Sequence, residues 1–228
     1  MKHWTLVFDL DGTLIDTAPD LAAATNHVMA ELGLAPVEES EILKYVGQGA
    51  LVMIEQAAAA HGRKLAGKNL YDQFDVFIEH YTAHIADRSK PYDGLIAALD
   101  RASANGATLA VCTNKLEAQA RQLLDTLGLS WRFAALTGRD SLGVWKPDPG
   151  HLTGTIALAG GDPAKSVMIG DSETDIATAK AAGVPVIAVD FGYSDAPVAV
   201  FAPDAIISSY AELLPAIARL TGCRSDAV

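Results

Sequence analysis

Six short runs of the chain are apolar almost throughout and rich in Val, Ile and Leu. They are TLVFDL (5–10), TLAVCTN (108–114), AALTG (134–138), SVMIGD (166–171), VPVIAVD (184–190) and DAIIS (204–208). A strand with one wet face alternates polar and apolar residues. These runs do not, so each is expected to be covered on both faces, as in a parallel sheet between helices. Helix-like stretches at roughly 93–105, 115–127, 149–160, 173–182 and 209–220 separate them. Alternation of this kind predicts an α/β fold: a Rossmann-like, doubly wound parallel sheet.

One interval breaks the rhythm. Between residues 15 and 90 no strand is evident, and four helical segments are expected at about 17–32, 39–46, 50–61 and 68–86. Thr17 is placed to cap the first, with Ala18 and Pro19 in its opening turn. The expected organisation is a core of residues 1–15 and 88–221, an inserted α-helical cap domain of 16–87, and a loose tail of 222–228. SKPYDG (89–94) reads as the hinge.

Composition narrows the class. Half of the 228 residues are apolar, enough for a sizeable core, and the net charge is −11. Such a surface repels nucleic-acid phosphates and anionic membranes, so neither is expected as a partner. No signal peptide and no run approaching the roughly 18 residues of a spanning helix is seen. Cys112 lies in an apolar run and Cys223 in the tail, which argues against a structural disulfide and for a reducing cytoplasm. Cys112 itself reads as a small buried hydrophobe.

The polar exceptions to the strand pattern fall at strand ends. Asp9 and Asp11 are two residues apart and converge beyond the carboxyl end of the first strand, where open α/β sheets place ligands; Gly12 lets the chain turn there. VMIGD ends in Asp171, with Asp175 one helical turn on; LAVCTN ends in Thr113 and Asn114; KPDP supplies Lys146 on a loop entering a helix, Asp148 and Pro149 being N-cap and N1. Several carboxylates in one cleft repel one another unless a cation joins them, and oxygen ligands suit Mg²⁺. Mg²⁺ and Lys146 supply about +3 against about −3 from Asp9, Asp171 and Asp175, so a phosphate dianion meets a nearly neutral site. Asp9 can then attack phosphorus to form an aspartyl phosphate. Asp11, if neighbouring carboxylates raise its pKa, can protonate the leaving alcohol and later take a proton from the hydrolytic water.

DLDGT, CTN, KPDP and GDSETD, in that order, resemble the four motifs of the haloacid dehalogenase superfamily of phosphohydrolases. The resemblance implies Asp9 as nucleophile and Asp11 as general acid/base. It implies phosphate binding by Thr113, Asn114 and Lys146, with Lys146 also holding the nucleophile. Mg²⁺ would be held by Asp9, the Asp11 backbone carbonyl and Asp171, with Asp175 supporting that shell. The helical insert is similar to the cap of the superfamily's first subclass. FDLDGTLIDTAPDLAAA, YVGQGA, PYDG, AVCTNK and FGYS further resemble the phosphoglycolate phosphatase family, which implies hydrolysis of 2-phosphoglycolate to glycolate and phosphate. Leu116 stands where that family commonly has Pro, and the glycine that usually follows GYS is not apparent in GYSDAP.

The cap loop VGQGA is the candidate reader of the substrate's other end. Gly47, Gln48 and Gly49 precede a helix N-terminus near Ala50, which favours anions, and Lys44 or Arg63 adds charge. A plain helix-connecting turn is the competing reading of that loop. Ser172-x-x-Asp175 also reads as a capping box. His80 and His84 have ligand spacing, but without HExxH a solvated helix face is expected. DLDG lacks the flanking helices and third acidic position of a calcium loop. Other small phosphate esters, such as sugar phosphates or nucleotides, and phosphomutase chemistry remain open on the core motifs alone. Asp11 argues against a phosphonoacetaldehyde hydrolase or a true dehalogenase. The expected partner is a small-molecule phosphate ester, met by a monomer or homodimer.

Overall fold

A computed structural model describes residues 1–222; Cys223 and the rest of the expected tail lie outside the described residues. The elements run β1 (Thr5–Phe8), β2 (Ile15–Asp16), α1 (Ala18–Glu31), α2 (Glu39–Leu43), α3 (Ala50–Ala60), α4 (Lys68–Ala83), β3 (Lys90–Pro91), α5 (Leu95–Ala104), β4 (Thr108–Cys112), α6 (Glu117–Thr126), β5 (Ala135–Thr137), α7 (Pro149–Leu158), β6 (Ser166–Gly170), α8 (Glu173–Ala182), β7 (Val186–Val189), β8 (Ala205–Ile207) and α9 (Leu213–Thr221). The chain divides into two compact units, Asp16–Lys90 and Met1–Ile15 together with the described residues from Pro91 onward.

In the larger unit six strands form one sheet in the order β5-β4-β1-β6-β7-β8, every described pairing parallel. The six runs expected from the sequence are these six strands. Val7, Ala110, Cys112, Met168, Val186 and Ala188 bury one face against Leu152 and Ile156 of α7 and Ile176 and Ala179 of α8. The intervening residues Leu6, Phe8, Leu109, Val111, Val167, Ile169, Ile187 and Val189 are equally buried. That double burial is why the runs show no alternation.

β1 lies at the middle of the sheet, flanked by β4 and β6, and Phe8 is in register with both Val111 and Ile169. The three strands therefore end almost level. Connections from β1 lead first to one side of the sheet, through β4 and β5, and then to the other, through β6 to β8. Such a switch point opens a crevice at the carboxyl ends of the central strands. The strands stop a residue or two short of the expected runs. The residues left over, Asp9, Thr113, Asn114, Asp171 and Asp190, belong to the loops at that edge.

The smaller unit holds the four expected helices. The Asp20 carboxylate, buried in α1, accepts hydrogen bonds from the Arg88 and Ser89 backbone N–H groups (2.8–3.1 Å) and from Ser89 Oγ (2.6 Å). Thr17 precedes α1 but makes no side-chain capping hydrogen bond. Its backbone is already helical (φ −99°, ψ −6°), whereas a capping side chain acts from an extended N-cap. His80 is not on a fully solvated face: its ring stacks on His27 (4.2 Å between centroids) and meets His84 at 4.6 Å. No helix among the described residues is long and apolar enough to cross a membrane.

Candidate active site

The loop after β1 begins with Asp9, whose N–H bonds to the Ile169 carbonyl of β6 at 2.9 Å. Gly12 then takes φ +82°, a conformation a side chain resists, and a Cβ there would strike the Asp171 carboxylate. Thr13 Oγ1 donates to Asp171 Oδ1 at 2.8 Å, and the Tyr193 N–H donates to Asp171 Oδ2 at 2.8 Å. Gly192 lets that second loop approach, since its Cβ would overlap the Asp171 side chain. Tyr210, buried, donates its hydroxyl to the Thr13 carbonyl at 2.6 Å. Two loops far apart in sequence thus fix one carboxylate.

Asp9, Asp171 and Asp175 are all buried, and each offers a carboxylate oxygen within 4.8 Å of the other two. It is the one such metal-competent group among the described residues. Lys146 is buried beside it, its Nζ 2.8 Å from Asp9 Oδ1 and 2.6 Å from Asp175 Oδ1. Burial pushes the Asp9 carboxyl up to about 7; the Lys146 ammonium opposes this and Asp175 adds to it. Burial, then Asp175 and Asp9, push Asp171 up to about 8, against the hydrogen bonds from Tyr193 and Thr13. For Lys146, burial acts to lower the ammonium's pKa, but the Asp175 and Asp9 carboxylates outweigh it and hold it above the usual lysine value. A cluster in which two of three carboxylates resist ionisation is short of positive charge. Its all-oxygen donor set fits a hard divalent cation.

Asp175 has two duties. Its Oδ2 accepts from the Ser172 N–H (3.1 Å) and Oγ (2.6 Å), completing the capping box of α8, while Oδ1 takes Lys146. The Lys146 loop is fixed from the other side by Asn114, whose amide donates to the Lys146 carbonyl (2.9 Å) and accepts from its N–H (3.0 Å). Asn114 was expected at the phosphate; its side-chain amide is engaged with the Lys146 backbone. Asp148 caps α7 as expected, accepting from the Gly150 N–H at 2.7 Å. Thr113 is buried at the end of β4, its N–H bonded to the Thr137 carbonyl and its hydroxyl accepting from the Lys115 N–H at 3.2 Å. Cys112 is buried, and burial pushes its thiol up to about 11, an inert hydrophobe rather than a nucleophile.

These features place three buried carboxylates and a lysine where the sheet's central strands end. A family model for haloacid dehalogenase-like hydrolases matches residues 6–189. The chain belongs to that family. It is 50% identical over 210 residues to a phosphoglycolate phosphatase of Mesorhizobium japonicum, covering 92% of each chain. It is 48% identical over 211 residues to one of Agrobacterium fabrum, covering 92% of this chain and 91% of the other. A crystal structure of a predicted phosphoglycolate phosphatase from Haemophilus somnus superposes with a TM-score of 0.87 at 28% identity, over 94% of this chain and 98% of that one.

Within this hydrolase, Asp11 stands apart from the trio. Its carboxylate meets the ammonium of Lys115, a residue to which the sequence reading assigned no role. Asp11 was expected to interact with neighbouring carboxylates, and its charge does act on Asp9; the structure adds the ion pair with Lys115. Thr13, Tyr193 and Tyr210 were also missed; DLDGT and FGYS carried the only local signal for the first two. The loop residues Lys44, Gly47, Gln48 and Gly49 lie in the helical unit. Lys44 Nζ is paired with Glu41 at 2.7 Å on the surface, and Gln48 Nε2 reaches the Lys44 carbonyl at 3.5 Å. Val46–Gln48 is a 3₁₀ turn, and Gly49 (φ 97°) opens α3 at Ala50. Arg63 Nη1 donates to the Leu32 carbonyl at 3.2 Å.

His151 gives the site's surroundings a pH signature. It is fully buried on α7, and burial, helped by the Lys146 ammonium, holds its imidazole down at about 4. The unfolded chain binds a proton below about 6.5 and the folded one does not, so stability is lost as pH falls from about 6.5 to about 4. The loss is expected to reach up to about 3 kcal/mol. Comparing thermal melts of the native chain and His151→Leu at pH 7 and 4.5 checks this. The native chain should lose more stability on acidification, and parallel losses would remove His151 from the account.

Proposed function

We propose that the chain is a Mg²⁺-dependent phosphatase that hydrolyses 2-phosphoglycolate to glycolate and phosphate through a phosphoryl group carried on Asp9. The observation that carries the reading is the buried Lys146 bridging Asp9 and Asp175 beside Asp171, at the switch point of the sheet. The names borne by relatives at 48–50% identity supply the substrate.

In this reading Asp9, Asp171 and the Asp11 backbone carbonyl hold Mg²⁺. The ion supplies the positive charge that lets two reluctant carboxylates ionise beside a phosphate dianion. Lys146 orients Asp9 and meets a phosphate oxygen. Thr113 offers the phosphate a hydroxyl, and Asn114 acts by fixing the Lys146 loop. Asp175 holds Lys146 and the start of α8. Asp9 attacks phosphorus while Asp11 passes a proton to the departing oxygen; water then displaces the phosphoryl group with Asp11 as base. The helical unit Asp16–Lys90 is the cap domain that selects the leaving group, with Lys44, Gly47, Gln48 and Gly49 as its candidate readers. The net charge of −11 suits a small anionic substrate only where local cations receive it.

Phosphate release across a panel of small phosphate esters, with Mg²⁺ and with EDTA, tests the reading. 2-Phosphoglycolate should lead in kcat/KM by about tenfold or more, equivalent to about 1.4 kcal/mol of transition-state discrimination, and EDTA should abolish turnover. A flat profile, or a sugar phosphate in the lead, would discard the substrate. Retention of a sugar bisphosphate with slow net hydrolysis would indicate a phosphomutase instead.

A further inference from the structure

The site holds a second lysine that the proposed chemistry has not used. Lys115 Nζ lies 2.9 Å from Oδ1 and 3.1 Å from Oδ2 of Asp11, so one ammonium spans both carboxylate oxygens. The two side chains are only 8% and 15% exposed, unlike a surface pair that salt and solvent would screen. The root of Lys115 is also fixed. Its N–H donates to Thr113 Oγ1 at 3.2 Å, and its carbonyl accepts from the Arg139 N–H at 2.9 Å. The acids are therefore divided between two cations. Lys146 takes Asp9 and Asp175, while Lys115 takes Asp11, which is no member of the three-carboxylate group.

We infer that Lys115 is a positioning residue for the acid/base step: it seats the Asp11 carboxyl group apart from the trio, at the point from which a proton reaches the leaving oxygen. The inference rests on Asp11 being the general acid. Asp11 enters the step as the neutral acid, its proton on one oxygen and Lys115 on the other; that proton passes to the leaving oxygen, and Lys115 keeps its own. Arg in its place can still fork onto both oxygens; Met, of similar length, cannot.

The test compares two leaving groups at the same phosphoryl centre. An alkyl ester such as 2-phosphoglycolate needs its departing oxygen protonated, whereas p-nitrophenyl phosphate departs with little help. Lys115→Met should lower kcat/KM, which reports only the steps through departure of the leaving group, about 100-fold on the alkyl ester and less than about fivefold on the nitrophenyl ester, within the range general acids contribute. Lys115→Arg should recover a large part of the loss. The ratio between the two esters does not depend on the folded fraction, so partial misfolding cannot mimic it. Equal losses of kcat/KM on both esters would make Lys115 a phosphate ligand and overturn the inference, as would no loss on either. Asp11→Asn run alongside separates the two levels. If it is selective for the alkyl ester and Lys115→Met is not, only the role of Lys115 falls. If Asp11→Asn is itself unselective, the assignment of Asp11 falls with it.

Discussion

Asp9→Asn is expected to reduce kcat by at least about 10³-fold while leaving the fold as stable as before. The activity loss follows from removing the proposed nucleophile; an amide in its place cannot form the phosphoryl intermediate. The stability prediction follows from the sign of the Asp9 shift. Its carboxyl is pushed up to about 7, above the ordinary range near 4, so the folded state resists ionising it. In the metal-free protein that cost accrues as pH rises from about 4 to about 7 and is complete above. A neutral Asn escapes it. Thermal melts at pH 8 without metal should therefore show the variant at or above the native midpoint, and a large drop would mean that Asp9 holds the fold together.

Lys146→Met should fail on both counts. Its ammonium is the cation between Asp9 and Asp175, and all three groups are buried. Removing one partner of a buried pair leaves uncompensated charge, a loss of about 3–5 kcal/mol. The midpoint should fall most at alkaline pH, where Asp9 and Asp171 are driven to ionise, and recover partly as those two carboxyls protonate. Turnover should drop by about 10³-fold on every ester, because the loss concerns the phosphoryl group rather than the leaving group. A variant with a native melt and selective loss would assign Lys146 to leaving-group recognition.

The sheet was legible because its strands are apolar on both faces, so Val, Ile and Leu mark them without reference to anything distant. The helices were legible from their capping and turn residues: Asp148 and Pro149 at α7, Ser172 and Asp175 at α8, Gly49 before α3. Asp9, Asp171, Asp175 and Lys146 could be read as one site because each interrupts or follows an apolar run at the same edge of a parallel sheet. What fixes them could not be read so. Thr13 meets Asp171 across 158 residues, Tyr210 meets Thr13 across 197, and Lys115 meets Asp11 across 104. No local periodicity encodes such pairs. Thr17 shows the limit at short range, since its capping depended on a backbone angle that residue type does not specify.

The central claim is that a phosphoryl group passes through Asp9. The direct measurement is a rapid acid quench of the Asp11→Asn variant with phosphorus-labelled p-nitrophenyl phosphate, whose leaving group needs little acid help, and Mg²⁺, followed by peptide mapping. With the proposed base removed, label should accumulate on the protein, be released by hydroxylamine as acyl phosphates are, and map to the peptide containing Asp9. Turnover with no protein-bound label in either the native chain or the variant, or label on a peptide without Asp9, would contradict the account.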